Sequence, residues 1–300
     1  MYYLIYGILY LVSLLPFSVL YFFSDYFYAL AYYIVRYRRK LVLQNLENAF
    51  PEKTVAERKK IAKQFYKNFI DTFIETIKMI SMSTRAFEKR CTINIEEVNK
   101  VAATGKRIHF HSGHQMNWEY ANWIVGKNLR IPWVAVYMSL KNKALDKIFY
   151  DLRSGHNVVL VPAEQFKTRM HVVFKSAYAL GLIADQKPAS AETGYWLNFF
   201  SKPAAFVRGP DKMARRNNPA IVFVSFTRIK RGYYHLEAKL ITENGNELKE
   251  GDLTNMYRNF LEEAIRSQPD NYLWSHHRWK WEYKKEFKGK WIDKRAPVPY

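Results

Sequence analysis

The sequence predicts an α/β protein, with a mixed, mostly parallel sheet flanked by helices and an N-terminal membrane-associated helical segment. Two observations carry this. From about Thr92, short apolar runs bounded by turn residues alternate with helical periodicity, and strands separated by helices form a sheet covered on both faces. Ahead of that region, residues 1–35 hold one charge, Asp25, in an otherwise apolar and aromatic stretch. Composition agrees with a folded body. The 300 residues are 49% apolar and 17% aromatic, so the excess of 47 Lys and Arg over 27 Asp and Glu is not a disordered basic tail. Cys91 is the only cysteine, which excludes a disulfide scaffold. A charge of +20 calls for an anionic partner: nucleic acid, an anionic membrane, or an acidic protein or substrate.

The order of residues divides the chain into three: 1–35, an anchor helix or hairpin; 36–90, a helical region; and 91–300, the α/β domain. Tyr2 to Phe23 is long enough to cross a hydrocarbon core of about 30 Å, but Pro16 kinks or breaks the helix near its middle. No Lys or Arg precedes Arg36, which argues against a cleaved signal peptide. Arg36, Arg38, Arg39 and Lys40 then form a basic collar suited to the cytoplasmic face and its anionic lipids. A buried helical hairpin in a soluble core is the alternative. Pro51 ends the next helix. Thr54 caps another that runs to about Ile80, with Ile61, Phe65, Phe69, Phe73 and Ile77 making one apolar stripe.

In the α/β body the strand candidates are Arg107–Ser112, Trp133–Tyr137, Val158–Val161, Leu182–Ala184, Ile221–Phe226 and Tyr233–Leu240. The last two read as a hairpin through Ile229–Gly232. Helix candidates are Trp118–Val125, Lys143–Arg153, Phe166–Leu180 and Thr254–Arg266.

The segment with chemistry is His109-Phe-His-Ser-Gly-His-Gln-Met-Asn-Trp-Glu-Tyr120, where a strand ends and a helix begins. Ligands gather at the carboxyl ends of strands in such sheets. On one continuous helix His114 and Glu119 would lie about 140° apart. With His114 in the loop and Glu119 in the first turn, the carboxylate can fold back, accept from Nδ1–H and raise the basicity of Nε2. A helix cap beside a surface carboxylate is the plain reading of the same spacing. His109, His111 and His114 invite a metal, but no Cys or carboxylate cluster completes a ligand set, and neither metal nor cofactor is expected. The run from Trp274 to Arg295 interleaves Trp, Tyr and Phe with basic residues, a composition fitted to a lipid interface or to stacked nucleobases. The apolar N-terminus favours the lipid.

Gly113-His-Gln-Met-Asn-Trp-Glu119 resembles the H-x4-D/E motif of the lysophospholipid acyltransferase superfamily, and more narrowly that of bacterial late acyltransferases of lipid A biosynthesis. The resemblance runs along nearly the whole chain. Asn45-Leu46 with Phe50-Pro51-Glu52 is similar to the family's N-terminal signature. Tyr137, Asn142, Leu145 and Arg153 are spaced like its second block, and Ala184-Asp185-Gln186 like its third. Phe199-Phe200-Ser-Lys-Pro203-Ala204 resembles its F-F-G-x-P-A block, and Pro269-Asp-Asn-Tyr272-Leu-Trp274, followed by His277 and Arg278, its C-terminal signature. Met116 and Ser201 stand where the family usually has Gly, which would put bulk near the pocket.

The resemblance implies a glycerolipid acyltransferase-like fold. It also implies transfer of a fatty acyl chain from an acyl thioester, carried by acyl carrier protein, to a hydroxyl of a lipid A precursor at the cytoplasmic face of the bacterial inner membrane. His114 would be the general base and Glu119 its orienting partner. Arg153, Asp185, Gln186 and Asn117 would bind substrate or the oxyanion, with Asp185 the partner of Arg153. Ser112 and Cys91 are not needed as nucleophiles. The partners are the carrier protein, the lipid acceptor and an anionic membrane surface rather than nucleic acid. Another acceptor (a glycolipid, an aminolipid or an aryl polyene-type pigment), or a non-catalytic membrane protein binding anionic polymers, are the competing readings.

Overall fold

The computed structural model describes residues 1–166, 168–169 and 176–298. Pro16 breaks the N-terminal segment outright. Helix α1 (Tyr2–Leu14) and helix α2 (Phe17–Ala29, continued as a π-turn over Leu30–Ile34) bend by 113° at the break. The carbonyls freed there are satisfied from the helical region: Lys78 Nζ donates to Ser13 O (2.7 Å) and Leu15 O (3.0 Å), and Ser81 Oγ to Ser13 O (2.7 Å). Among the described residues no single helix is long and apolar enough to cross a membrane, although the bent pair passes on length and composition together.

Helix α3 (Arg39–Ala49) stops before Pro51, and α4 (Val55–Met79) starts on Thr54 as the spacing predicts. Thr54 Oγ1 accepts from Glu57 N while the Glu57 carboxylate accepts from Thr54 N (2.7 Å), a reciprocal capping box. Thr54→Ala is expected to cost about 1 kcal/mol in urea unfolding of the purified protein. An unchanged midpoint would show that packing alone holds this end of α4.

Short helices α5 (Thr84–Glu88), α6 (Glu96–Ala103), α7 (Trp118–Asn128), α8 (Lys143–Arg153), α9 (Gly209–Asn217) and α10 (Asp252–Ser267) surround two sheets. The main sheet holds β1 (Cys91–Asn94), β2 (Ile108–Ser112), β3 (Trp133–Tyr137), β4 (Val158–Pro162), β5 (Ala179–Ile183), β8 (Ala220–Lys230) and β9 (Tyr233–Thr242), in the order β1-β9-β8-β2-β5-β3-β4. Pairing is parallel except between β8 and β9. The carboxyl ends of β8, β2, β5, β3 and β4 therefore share one edge. The β8–β9 hairpin closes through Arg231-Gly232, where Gly232 holds φ +74°, a conformation that favours glycine.

The period of two sorts the core. Ile108 and Phe110 of β2, with Val222, Val224 and Phe226 of β8, face α6 and α7. Ile221 and Phe223 face the other layer, where α3, α4 and α10 pack. His109 and His111 share that second face, both buried, with ring centroids 6.3 Å apart. Burial lowers them to about 4 and 3, so both are neutral at pH 7.

A separate two-stranded sheet, β6 (Gly194–Phe199) with β7 (Lys202–Val207), gathers much of the C-terminal aromatic run. Phe287, Trp281, Tyr283 and Trp291 pack with Trp196 on this hairpin, and Trp196 stacks on Phe287 at 5.4 Å. Trp274 and Arg278 are buried as well. Much of that run is thus packed, while Trp281, Tyr283 and Trp291 stay half-buried and Lys280, Lys284, Lys285 and Lys288 are exposed beside them. Of the predicted helix Phe166–Leu180, residues 167 and 170–175 lie outside the described ones. Its end is strand, because Ala179 and Leu180 pair with Ile108 and His109.

Candidate active site

Strands β2 and β5 are parallel neighbours, with Ser112 opposite Ile183. The residues that follow each strand, Gly113-His114 and Ala184-Asp185-Gln186, therefore emerge side by side at the carboxyl edge. Position 113 is tight, since a Cβ there would lie 2.6 Å from Leu261 Cδ1 and the buried leucine would have to shift. The chain turns sharply through this gap and places His114 over the sheet edge.

Asp185 is the residue that holds the imidazole. His114 Nδ1 lies 2.6 Å from Asp185 Oδ1, and the backbone N–H of His114 donates to Asp185 Oδ2 at 2.9 Å. A carboxylate can only accept, so the ring proton sits on Nδ1 and Nε2 carries the lone pair. The Gln186 side-chain amide approaches that lone pair at 3.2 Å. Burial disfavours the imidazolium, but the charge of Asp185 and its hydrogen bond outweigh this and raise the His114 pKa. Burial also pushes Asp185 upward, yet His114, its backbone N–H and Tyr272 hold the carboxyl below its usual range.

Glu119 does not reach the imidazole, which corrects the expected His114/Glu119 contact. Its carboxylate lies in the first turn of α7 and accepts from Arg153 Nε (2.8 Å to Oε2) and Arg153 Nη2. Arg153, expected to pair with Asp185, is committed to Glu119 instead. Asn117 is corrected too. It is buried away from the cavity and caps α7, with Oδ1 accepting from Glu119 N and Tyr120 N and Nδ2 donating to Glu75 Oε2 at 3.1 Å. The two departures from the family's glycines put no bulk in the pocket. Met116 is buried in the core beside Thr72, and Ser201 Oγ donates to Asn48 O.

Segments distant in sequence clamp this loop. Leu273 N donates to His114 O (3.0 Å), Met116 N to Asn271 O (3.0 Å), and Tyr257 Oη to Ser112 O (2.7 Å). Asn45 Nδ2 donates to the carbonyls of Trp274 and His276, each at 2.7 Å. Spacing gave no sign of Tyr257, and the motif blocks at Asn45 and Asn271-Tyr272 turn out to be supports of the loop.

A cavity of about 700 Å³ opens at His114. It runs between α7 and the sheet. His114, Gln186, Glu119 and Arg153 line its polar part, and Phe110, Trp133, Ala135, Leu160, Val224 and Phe226 are among the apolar residues beyond. Its size is that of a small-ligand site, about 300–1,000 Å³, and its walls suit a hydrocarbon chain.

A histidine hydrogen-bonded to a buried carboxylate, at the carboxyl edge of an α/β sheet and above a cavity with mostly apolar walls, is the arrangement of a ligand site for an apolar group. The chain belongs to the bacterial lipid A biosynthesis acyltransferase family, whose profile matches residues 1–281, and it is an acyltransferase. It is similar to the lipid A biosynthesis palmitoleoyltransferase of Escherichia coli (strain K12), 21% identical over 276 residues, covering 91% of this chain and 89% of that one. The lipid A biosynthesis lauroyltransferase of the same strain is 24% identical over the same shares. A lipid A biosynthesis acyltransferase of Shigella flexneri is 21% identical, again over 91% of this chain and 89% of that one.

Proposed function

We propose that the protein transfers a fatty acyl chain from acyl carrier protein to a hydroxyl of a lipid A precursor, with His114 as general base. The observation that carries this is the His114–Asp185 pair at the mouth of the apolar cavity. The acceptor hydroxyl takes the place of the Gln186 amide and gives its proton to His114 Nε2. Its oxygen attacks the thioester carbonyl. The tetrahedral intermediate collapses, the C–S bond breaks, and the leaving thiolate recovers the proton from Nε2. Ester and free thiol are the products, with no covalent enzyme intermediate. Arg153, fixed by Glu119, lines the cavity where it can place positive charge toward the developing oxyanion.

Carrier protein fits the rim. Met138 and Leu140 line the cavity, and exposed Lys141 of the same loop and Lys143 at the start of α8 follow, suited to an acidic donor. The membrane fits the N-terminal helices, where Leu4, Leu11, Phe22 and Ile34 are each at least 66% exposed. Helix α1 abuts α8 through Tyr2 Oη on Asp151 Oδ2 (3.1 Å), so this apolar face adjoins the helix that supplies Arg153. The basic collar follows it directly.

The test combines purified enzyme, acyl carrier protein donor and lipid A precursor with mass spectrometry of lipids from a deletion strain. The strain should accumulate a lipid lighter by one acyl chain. His114→Ala should turn over about a hundred- to ten-thousand-fold more slowly than wild type. Undiminished turnover by that variant would exclude His114 as the base, and an unaltered lipid A in the strain would exclude this acceptor.

A further inference from the structure

The far end of the cavity has a constructed shape that catalysis does not require. Trp133 opens β3, at the end of the strand opposite the reacting edge, while Tyr137 closes it beside the mouth. Four residues of strand put about 13 Å between the two. The indole does not stand up from β3 as a strand side chain ordinarily does. It lies across the neighbouring strand, directly over Gly181 of β5. A Cβ at 181 would fall 2.7 Å from Trp133 Cη2 and 2.8 Å from Cζ2. The ring is then fixed from two further sides. Its Nε1–H donates to Asn122 Oδ1 of α7 at 2.9 Å, and Phe110 of β2 meets it edge to face at a centroid distance of 5.1 Å. Gly126 completes the arrangement, since a Cβ there would meet Val158 Cγ2 at 2.3 Å, so its absence lets α7 settle close over β4.

A large flat ring held in one orientation by a hydrogen bond, with a glycine beneath it, makes a rigid wall. Aliphatic side chains in its place could yield to an extra methylene; a pinned indole yields far less. We propose that Trp133, seated on Gly181 and pinned by Asn122, is the floor of the acyl pocket and sets the longest acyl chain the enzyme transfers. The inference rests on the acyl-transfer reading of the cavity. It assigns chain selection to residues on the sheet face, away from the His114 loop.

The assignment gives variants of opposite sign. Trp133→Leu removes the wall and should raise the rate with a donor two carbons longer than the wild-type optimum by about tenfold relative to that optimum. Gly181→Ala drives the indole upward into the cavity and should move the preference toward shorter chains. Trp133→Phe keeps an aromatic packing group and serves where the leucine variant does not fold. The measurement is competition among saturated acyl carrier protein donors from octanoyl to stearoyl, with transferred chains read by mass spectrometry on the lipid product. Shifts in the two opposite directions support the floor. If wild type transfers acyl chains and the folded variants keep its length profile, the floor assignment is wrong while acyl transfer stands. If wild type transfers none of these donors, the acyl-transfer reading falls and the floor with it.

Discussion

Asp185→Asn should lower kcat by about a hundred- to ten-thousand-fold and move the acid limb of the pH profile downward. Besides Tyr272, the carboxylate accepts from His114 at both oxygens, Nδ1–H on Oδ1 and the backbone N–H on Oδ2. An asparagine cannot serve both as it stands. In one orientation its NH2 confronts the backbone N–H. In the other it confronts Nδ1 and forces the ring proton to Nε2, so the base loses its lone pair. The pH effect follows from the same charge. The free base is required, so activity falls as pH drops through the His114 pKa. In wild type that pKa lies above its ordinary value of about 6.5. Without the carboxylate, burial alone acts on the imidazole and depresses it, so the residual activity of Asp185→Asn persists to lower pH. Glu119→Gln is the contrasting variant. It loosens Arg153 but leaves the acid limb in place, because the Glu119 carboxylate is bonded to Arg153 and it is Asp185 that raises the imidazole. A limb that shifts in Glu119→Gln and stays in Asp185→Asn would restore the His114/Glu119 pairing and remove Asp185 from the mechanism.

That contrast also marks where the sequence stops being legible. The strand-to-helix turn at His114 was readable, since an apolar run gives way to Gly113 and then to an amphipathic helix. Asp185 stands in the segment that resembles the family's third block, and the resemblance made it the partner of Arg153. What joins Asp185 to His114 is 71 positions of chain and the parallel adjacency of β2 to β5, and neither local periodicity nor spacing encodes which strands are neighbours. Glu119, only five residues from His114, was the nearer carboxylate, but helix geometry turned it toward Arg153 on α8. Strand β1 carries no clear strand signal because Cys91-Thr-Ile-Asn94 is short, half polar and half-exposed. Strands β6 and β7 show no alternation because both faces of that hairpin are mostly buried. Trp133 shows the converse. Its strand was plain, yet nothing along the chain marks Gly181 as the seat of its ring.

Asp71→Ala is expected to destabilise the fold by about 3–5 kcal/mol, a large share of a typical stability of about 5–15 kcal/mol. Asp71 is buried on α4 and accepts from Ser24 Oγ (2.6 Å), Arg228 Nη2 (2.7 Å) and Arg231 Nη2 (2.7 Å). Arg228 has a side chain only 8% exposed, so deleting the carboxylate strands a guanidinium in the interior. Arg231 suffers less, because it is half-buried and keeps Asp25 of α2 at 2.9 Å. The loss also frees α2, which Asp71 ties to the sheet through Ser24 on one side and the two arginines on the other. Beside it, Tyr21 of α2 donates to Glu75 Oε1 (2.9 Å), whose other oxygen holds Asn117, the cap that follows the His114 loop. The latch therefore connects the exposed apolar helices to the element that carries His114. The double variant Asp71→Leu/Arg228→Met should recover most of the lost stability, since it removes the stranded charge together with its partner. Chemical unfolding of the single and double variants decides the matter. A cost below about 1 kcal/mol for Asp71→Ala would mean that Arg228 is hydrated and the latch is a surface pair; a full cost with recovery in the double variant places the energy in the buried charge.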